Sequence, residues 1–327
     1  MQPASPIHAS GPTWRIGLDE AGYGPNLGPL TIGATAWRLD RDADLYDALS
    51  TAVAPVASDD DRLVIADSKV VYQPGGGLAG LEAAVLAAFG GNRPATFTEL
   101  LATLGADPNE HRADAPWRAG FDTALPIDAG SDTLDEQSAT LERTFQSAGV
   151  SAPRLAARVV YPAEFNDLVD RYGSKGAALS HATLELARRV LDDTGVAIEA
   201  SDLPVRITFD KHGGRNRYGA LVQHWLPEAP LTVIEESRPV SRYRVGASVE
   251  LVFRSKGEAE LPVALASMIA KLLRELTMLG FNRFWAQQVP GVRPTAGYPV
   301  DAKRFLAAIA ARQAELGIDH RRLWRNR

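Results

Sequence analysis

The chain has 327 residues, enough for one large domain or two. Hydrophobic residues make up 45%, which excludes wholesale disorder, and the lack of any cysteine excludes disulfides and cysteine-ligated zinc. The net charge of −5 argues mildly against a nucleic-acid binder, but the charge is unevenly spread. Residues 99–142 hold ten acidic residues against two arginines, so the remainder of the chain is weakly basic, and residues 302–327 hold seven Lys or Arg against two acids. A basic tail on such a body is compatible with phosphate contacts and equally with a solvated helix face.

Residues 1–12 are polar and carry prolines, so a flexible leader is expected, without the apolar stretch of a signal peptide. No apolar run approaches the ~18 residues of a membrane span. The cysteine-free composition fits a reducing compartment, and a cytoplasmic location is expected.

Trp14, Ile16 and Leu18 alternate with Arg15 and Gly17, which predicts a strand. Two adjacent carboxylates, Asp19 and Glu20, stand at its end. The chain then turns through Gly22, Gly24, Pro25, Gly28 and Pro29 into a second β-rich run, Leu30 to Trp37. Adjacent carboxylates repel unless a cation or solvent screens them. Glycines beside them let a bulky ligand approach the backbone. The pattern suits a metal-dependent site for a phosphate-bearing ligand, and a bare Asp-Glu pair alone would be a solvated acidic turn.

A short apolar stretch, Leu63 to Ile65, leads into Asp67-Ser68-Lys69, where Asp-Ser reads as a helix N-cap. Gly75-Gly76-Gly77 lacks a following Gly-Lys-Ser/Thr and reads as a turn. A helix over 78–89 follows, then 90–145, rich in Gly, Pro and Asp, with amphipathic pieces at 97–104 and 134–145. Strands are predicted at Ala156–Tyr161, Val205–Asp210, Leu231–Ile234 and Val249–Phe253, with a charged connection over 235–244. Helices are predicted at 163–172, 177–192, 218–225, 263–279 and 302–316. His181 has no second histidine at metal spacing and reads as a partly buried structural residue. Lys211, Arg215 and Arg217 beside Asp210 suit phosphates or a solvated loop alike, and His212 is a candidate proton shuttle. The small residues Ala264, Ala266, Ser267 and Ala270 let the 263–279 helix pack closely on a sheet.

The string Asp19-Glu20-Ala21-Gly22-Tyr23-Gly24-Pro25, followed by Gly28-Pro29 and an apolar strand, resembles the first motif of the type 2 ribonuclease H family (ribonucleases HII and HIII), except that Tyr23 stands where the family has arginine. Asp67-Ser68-Lys69, the helix string Ala266-Ser267-Met268-Ile269-Ala270-Lys271, Gly297-Tyr298 and Ile318-Asp319-His320-Arg321 also resemble family motifs. The resemblance spans residues 14–72 and 156–322, with 90–145 as an inserted acidic subdomain in a domain over 13–327.

It implies an α/β ribonuclease H-like fold, a mixed five-stranded sheet flanked by helices. It also implies four catalytic and metal-binding carboxylates: Asp19, Glu20, Asp210 and Glu258, with Glu260 as the other candidate for the fourth place. Two Mg²⁺ or Mn²⁺ ions roughly 4 Å apart would neutralise them. Gly22, Tyr23, Gly24, Lys69, Arg215, Lys271 and Tyr298 become candidate substrate contacts. The implied activity is cleavage of the RNA strand in RNA–DNA hybrids or in ribonucleotide-containing DNA duplexes, leaving 5′-phosphate and 3′-hydroxyl ends. A nuclease on other structured nucleic acid and a non-catalytic nucleic-acid binder on the same fold are the alternatives.

Overall fold

The structure is a computed structural model and describes residues 11–57, 61–73, 75–106, 115–199 and 203–326. The expected leader lies outside them, apart from Gly11 and Pro12.

The chain opens with a hairpin of β1 (Thr13–Ala21) and β2 (Leu30–Leu39). Short pieces follow: α1 (Leu45–Ala48), β3 (Val53–Ala54), β4 (Leu63–Val64) and α2 (Ser68–Val71). Next come α3 (Ala79–Ala87), α4 (Phe97–Thr103) and α5 (Ser131–Ala148). The second half runs β5 (Arg154–Val160), α6 (Pro162–Tyr172), α7 (Lys175–Asp193), β6 (Val205–Asp210) and α8 (Gly219–Trp225). It ends with β7 (Leu231–Glu236), β8 (Val240–Val245), β9 (Val249–Arg254), α9 (Leu261–Gln288) and α10 (Pro299–Glu315).

Among the described residues, seven strands form one sheet in the order β5-β2-β1-β6-β9-β8-β7. The first five are the mixed sheet that the resemblance implies: β2 runs antiparallel to β1 and β5, while β1, β6 and β9 are mutually parallel. The hairpin of β7 and β8 extends it to seven. The stretch 235–244, expected as a charged connection, supplies β8 because Ser241, Tyr243 and Val245 alternate inward against Arg242 and Arg244. Tyr243 and Val245 join the buried cluster beneath α7.

The two faces differ in chemistry. Ile16, Leu18, Ile207, Phe209, Leu251 and Phe253 pack with Leu179, Leu184 and Leu191 of α7. The other face of β1 and β2 lies directly under α9. A Cβ at Gly17 would stand 2.2 Å from the Pro262 carbonyl carbon, and one at Gly33 would stand 2.1 Å from the Ala266 oxygen. The hydroxyls of Thr31 and Thr35 donate to the Ala270 and Pro262 carbonyls, both at 2.8 Å. Close packing by the small residues of α9 is therefore met by glycine and threonine on the strands. Pro262 in the first turn fixes the start of that helix.

Within 90–145, Phe97, Leu100, Leu101, Trp117, Leu134, Leu141 and Phe145 belong to the same buried cluster as α9. These described residues share the main core. Among the described residues no helix is long and apolar enough to cross a membrane.

Candidate active site

The three parallel strands end at one edge of the sheet, where open α/β sheets place their ligand crevices. Leu18 pairs with Phe209 in the parallel register, so Asp19 and Asp210 follow side by side. Beyond β9 the chain reverses at Lys256, a non-glycine residue with φ 61°. That turn aims the Gly257 N–H at Asp210 Oδ1, 3.0 Å away. Gly257 lets the two segments approach this closely: a Cβ there would lie 3.0 Å from the Asp210 nitrogen.

The carboxylates act on one another. Burial and then Asp210 push the Asp19 carboxyl up to about 7, against a hydrogen bond from Ser267 that favours its charged form. Burial, Asp19 and Asp210 hold Glu20 well above the usual range. Glu258 is raised by burial, and then by Asp210 and Asp67. Both Asp19 and Glu20 keep part of their surface open. Lys69 is the counter-charge: burial opposes its ammonium, but Asp67, Asp19, Glu258 and Asp210 outweigh burial and raise its pKa.

Lys69 is placed there by α2, whose N-cap Asp67 accepts from the Lys69 amide at 3.0 Å. Ser68, buried in the same turn, shares a 2.9 Å hydrogen bond with Ser267 of α9. Ser68, Ser267 and Asp19 thus form a chain linking three distant motifs. From the sequence, Ser68 reads as part of a helix N-cap and Ser267 as a close-packing residue; their position inside motif strings was the available signal.

Glu258 and Glu260 point to different environments. Glu258 shares the field of Asp210 and Lys69. Glu260 stands at the N-cap position of α9, where its carboxylate accepts from Thr208 Oγ1 and Arg254 Nη1, both at 2.9 Å, and is occupied by them.

The glycine-rich loop between β1 and β2 is tied from beneath by two buried arginines. Arg274 donates to the Pro29 carbonyl at 2.5 Å and to Ala296 at 3.0 Å. Arg325 donates to the Gly22 carbonyl at 2.5 Å and to Pro25. Burial lowers Arg274 to about 10, and burial with Arg274 nearby lowers Arg325 well below its ordinary value. Arg274 stands just past the Ala266–Lys271 string and also matches the family motif, which was its available signal; Arg325 carried none. Gly22 adopts φ 87°, and Gly24 lies under the Tyr298 ring, 3.5 Å from where its Cβ would be. Tyr298 itself is 59% exposed.

The remaining candidates divide. Tyr23 lies beside the carboxylates, within the field of Glu20, and carries the Lys175 ammonium 4.4 Å from its ring centroid. Arg215 stands near Tyr23 and over Tyr218, 6.0 Å from its ring centroid. Lys271 is ion-paired with Glu275 and lies 4.3 Å over the Tyr72 ring, so its charge is already partnered.

Two expectations are corrected. Lys211 does not face phosphates: it is buried, and its ammonium donates to Asn216, the Ser237 carbonyl and Ser241. His212 is no proton shuttle: burial and then Arg215 push its pKa down to about 3, and Nδ1 meets the Ser180 hydroxyl at 3.0 Å. Burial thus favours the neutral ring.

The donor chemistry at the strand ends is oxygen only, and the crowded carboxyls hold protons that a hard divalent cation would replace. Among the described residues, no three Asp, Glu or His side chains stand close enough to make a ready ligand set, so the carboxyls must draw in to hold an ion.

Solved structures similar to this chain are ribonucleases HII and HIII. A ribonuclease HII from Archaeoglobus fulgidus, solved in a complex with PCNA, is 13% identical over 96% of this chain and 94% of its own, at a TM-score of 0.44. Ribonuclease H2 from Pyrococcus horikoshii OT3 is 14% identical over 95% and 92%, at 0.42. Bst-RNase HIII in complex with Mn²⁺ is 14% identical over 97% of this chain and 67% of its own, at 0.39. No family model matches the chain, and no curated protein matches it. At such identities and TM-scores, the class of the molecule has to come from its own strand order and residues.

Proposed function

We propose that the chain is a divergent type 2 ribonuclease H, a metal-dependent endonuclease cutting the RNA strand of RNA–DNA hybrids or at ribonucleotides within DNA duplexes. The observation that carries this reading is the register of β1 and β6. It sets Asp19 beside Asp210, with Glu20, Glu258 and Lys69 in the same field and a glycine-rich loop alongside.

Asp19, Glu20, Asp210 and Glu258 would hold Mg²⁺ or Mn²⁺, which when bound supplies an activated water and charge for the leaving 3′ oxygen. The chain's own residues do the rest. Ser267 orients the Asp19 carboxylate and is itself fixed by Ser68. The Gly257 amide holds Asp210 in one rotamer. Lys69 offers its ammonium to a phosphate next to the carboxylates. Gly22 and Gly24 leave the loop backbone open to a ribose, whose 2′-hydroxyl distinguishes RNA from DNA. Tyr298, exposed above Gly24, presents a ring to a sugar.

The test is cleavage of labelled duplexes with Mg²⁺ or Mn²⁺: a full RNA–DNA hybrid, a DNA duplex with one ribonucleotide, and plain DNA, with Asp19→Asn as control. Cutting confined to the ribonucleotide-bearing duplexes, and lost in the variant, is expected. Cutting of all three would indicate a broadened nuclease, and binding without cutting would indicate a non-catalytic binder.

A further inference from the structure

Beside the carboxylates, on the side of α6, α7 and α8, runs a strip of aromatic and basic side chains that the proposed reaction does not use. It begins at Tyr23, with the Lys175 ammonium over its ring. Arg215 stands next along it, close enough to Tyr23 and to His181 to bias the titration of both. His181 then lies flat on Tyr172, ring centroids 3.5 Å apart and planes within 7°. Trp225 Nε1 donates to His181 Nδ1 at 3.2 Å, which fixes the ring's orientation and leaves its proton on Nε2. His224 closes the far end edge-on, 5.2 Å from His181.

These rings are not core residues. Tyr23, Tyr172, His181 and Trp225 are each only half-buried, and His224 is exposed. Burial, His224 and Arg215 all favour the uncharged His181 ring, which is the stacking form. The acid near His181, Glu185, is turned to Arg158 at 2.5 Å. The strip therefore sets half-exposed aromatic rings beside two cations, Lys175 and Arg215.

We infer that this strip is a binding track for single-stranded nucleic acid, which takes an unpaired extension of the strand lying at the carboxylates. Bases inside a duplex already stack on one another and present no free faces. Unpaired bases do, and aromatic platforms flanked by Lys or Arg bind them with little sequence preference. Lys175 and Arg215 stand where the phosphates of such a strand would pass. The direction of the track, outward from Glu20 through Tyr23, rests on the proposed function. Binding of a single strand to it does not.

The experiment is fluorescence anisotropy in EDTA with three labelled probes: a blunt ribonucleotide-containing duplex, the same duplex with a single-stranded extension of about six nucleotides, and the isolated extension. The extension is expected to tighten duplex binding at least about fivefold, the effect of one stacked base. Tyr172→Ala and Lys175→Gln should each reduce that gain and leave blunt-duplex binding unchanged. Lys175→Gln, a substitution at a half-exposed helix start, keeps the test open if Tyr172→Ala fails to fold. Equal affinity for blunt and extended duplexes, or a gain that survives both variants, overturns the track. Cutting of the blunt duplex with Mn²⁺ but no extension gain sinks the track and leaves the nuclease reading. An extension gain without any cutting does the reverse.

Discussion

Asp19→Asn should stabilise the metal-free protein, and the amount can be worked from the site. Asp19 moves from 3.8 to about 7 on folding, chiefly through burial and then through Asp210. Between those two values the unfolded chain has released the proton and the folded one has not. Stability therefore falls as pH rises across that window and is flat above it. The full shift corresponds to roughly 4 kcal/mol at most, and about 2 kcal/mol once its open side is allowed for. Asparagine keeps the acceptor for Ser267 and carries no charge. In EDTA at pH 8 the variant should unfold at a higher urea concentration, by on the order of 1 M, and near pH 4 the two proteins should coincide. Millimolar Mg²⁺ or Mn²⁺ should then raise the wild type much more than the variant, because the cation takes the place of the proton. A variant no more stable than wild type at pH 8 without metal would refute the electrostatic account of the site.

Glu258→Gln should reduce cleavage by at least about a hundredfold, while Glu260→Gln should keep most activity and lose about 1–3 kcal/mol of stability with its Arg254 and Thr208 bonds; turnover and urea midpoints of the pair separate the two carboxylates. Ser267→Ala removes a bond that favours ionised Asp19, so the acid limb of the pH–rate profile should move to higher pH with about a tenfold loss of kcat at neutral pH. Gly33→Ala drives a methyl into the Ala266 carbonyl and should cost about 3 kcal/mol or more, seen as a fall in Tm, with the carboxylates untouched.

The first hairpin was legible because its chemistry is written contiguously. Alternating apolar residues end in Asp19-Glu20, and the glycines follow at once. Asp210 was legible as the carboxylate that ends a β-branched run. Choosing between Glu258 and Glu260 was not possible from spacing, since both stand in the same short turn. The left-handed Lys256 turns one toward Asp210 and leaves the other at the start of α9 to meet Arg254. Lys211 and His212 misled for a related reason. Beside a carboxylate, a lysine and a histidine look like phosphate and proton handlers, yet the β7–β8 hairpin buries the lysine and α7 receives the histidine. Burial imposed by a distant element has no local signature.

The arginine clamp beneath the glycine-rich loop has a bearing on how the protein comes into being. The loop is synthesised well before its partners: its carbonyls find their donors on Arg274 and Arg325, the latter 303 residues beyond Gly22. Contacts so remote in sequence form late. A nascent chain would carry every carboxylate of the early motif and still lack the loop shape that the two arginines hold. The loop beside Asp19 and Glu20 is thus made well before it is set, so a half-synthesised chain holds the carboxylates of the hairpin without the finished cleft around them.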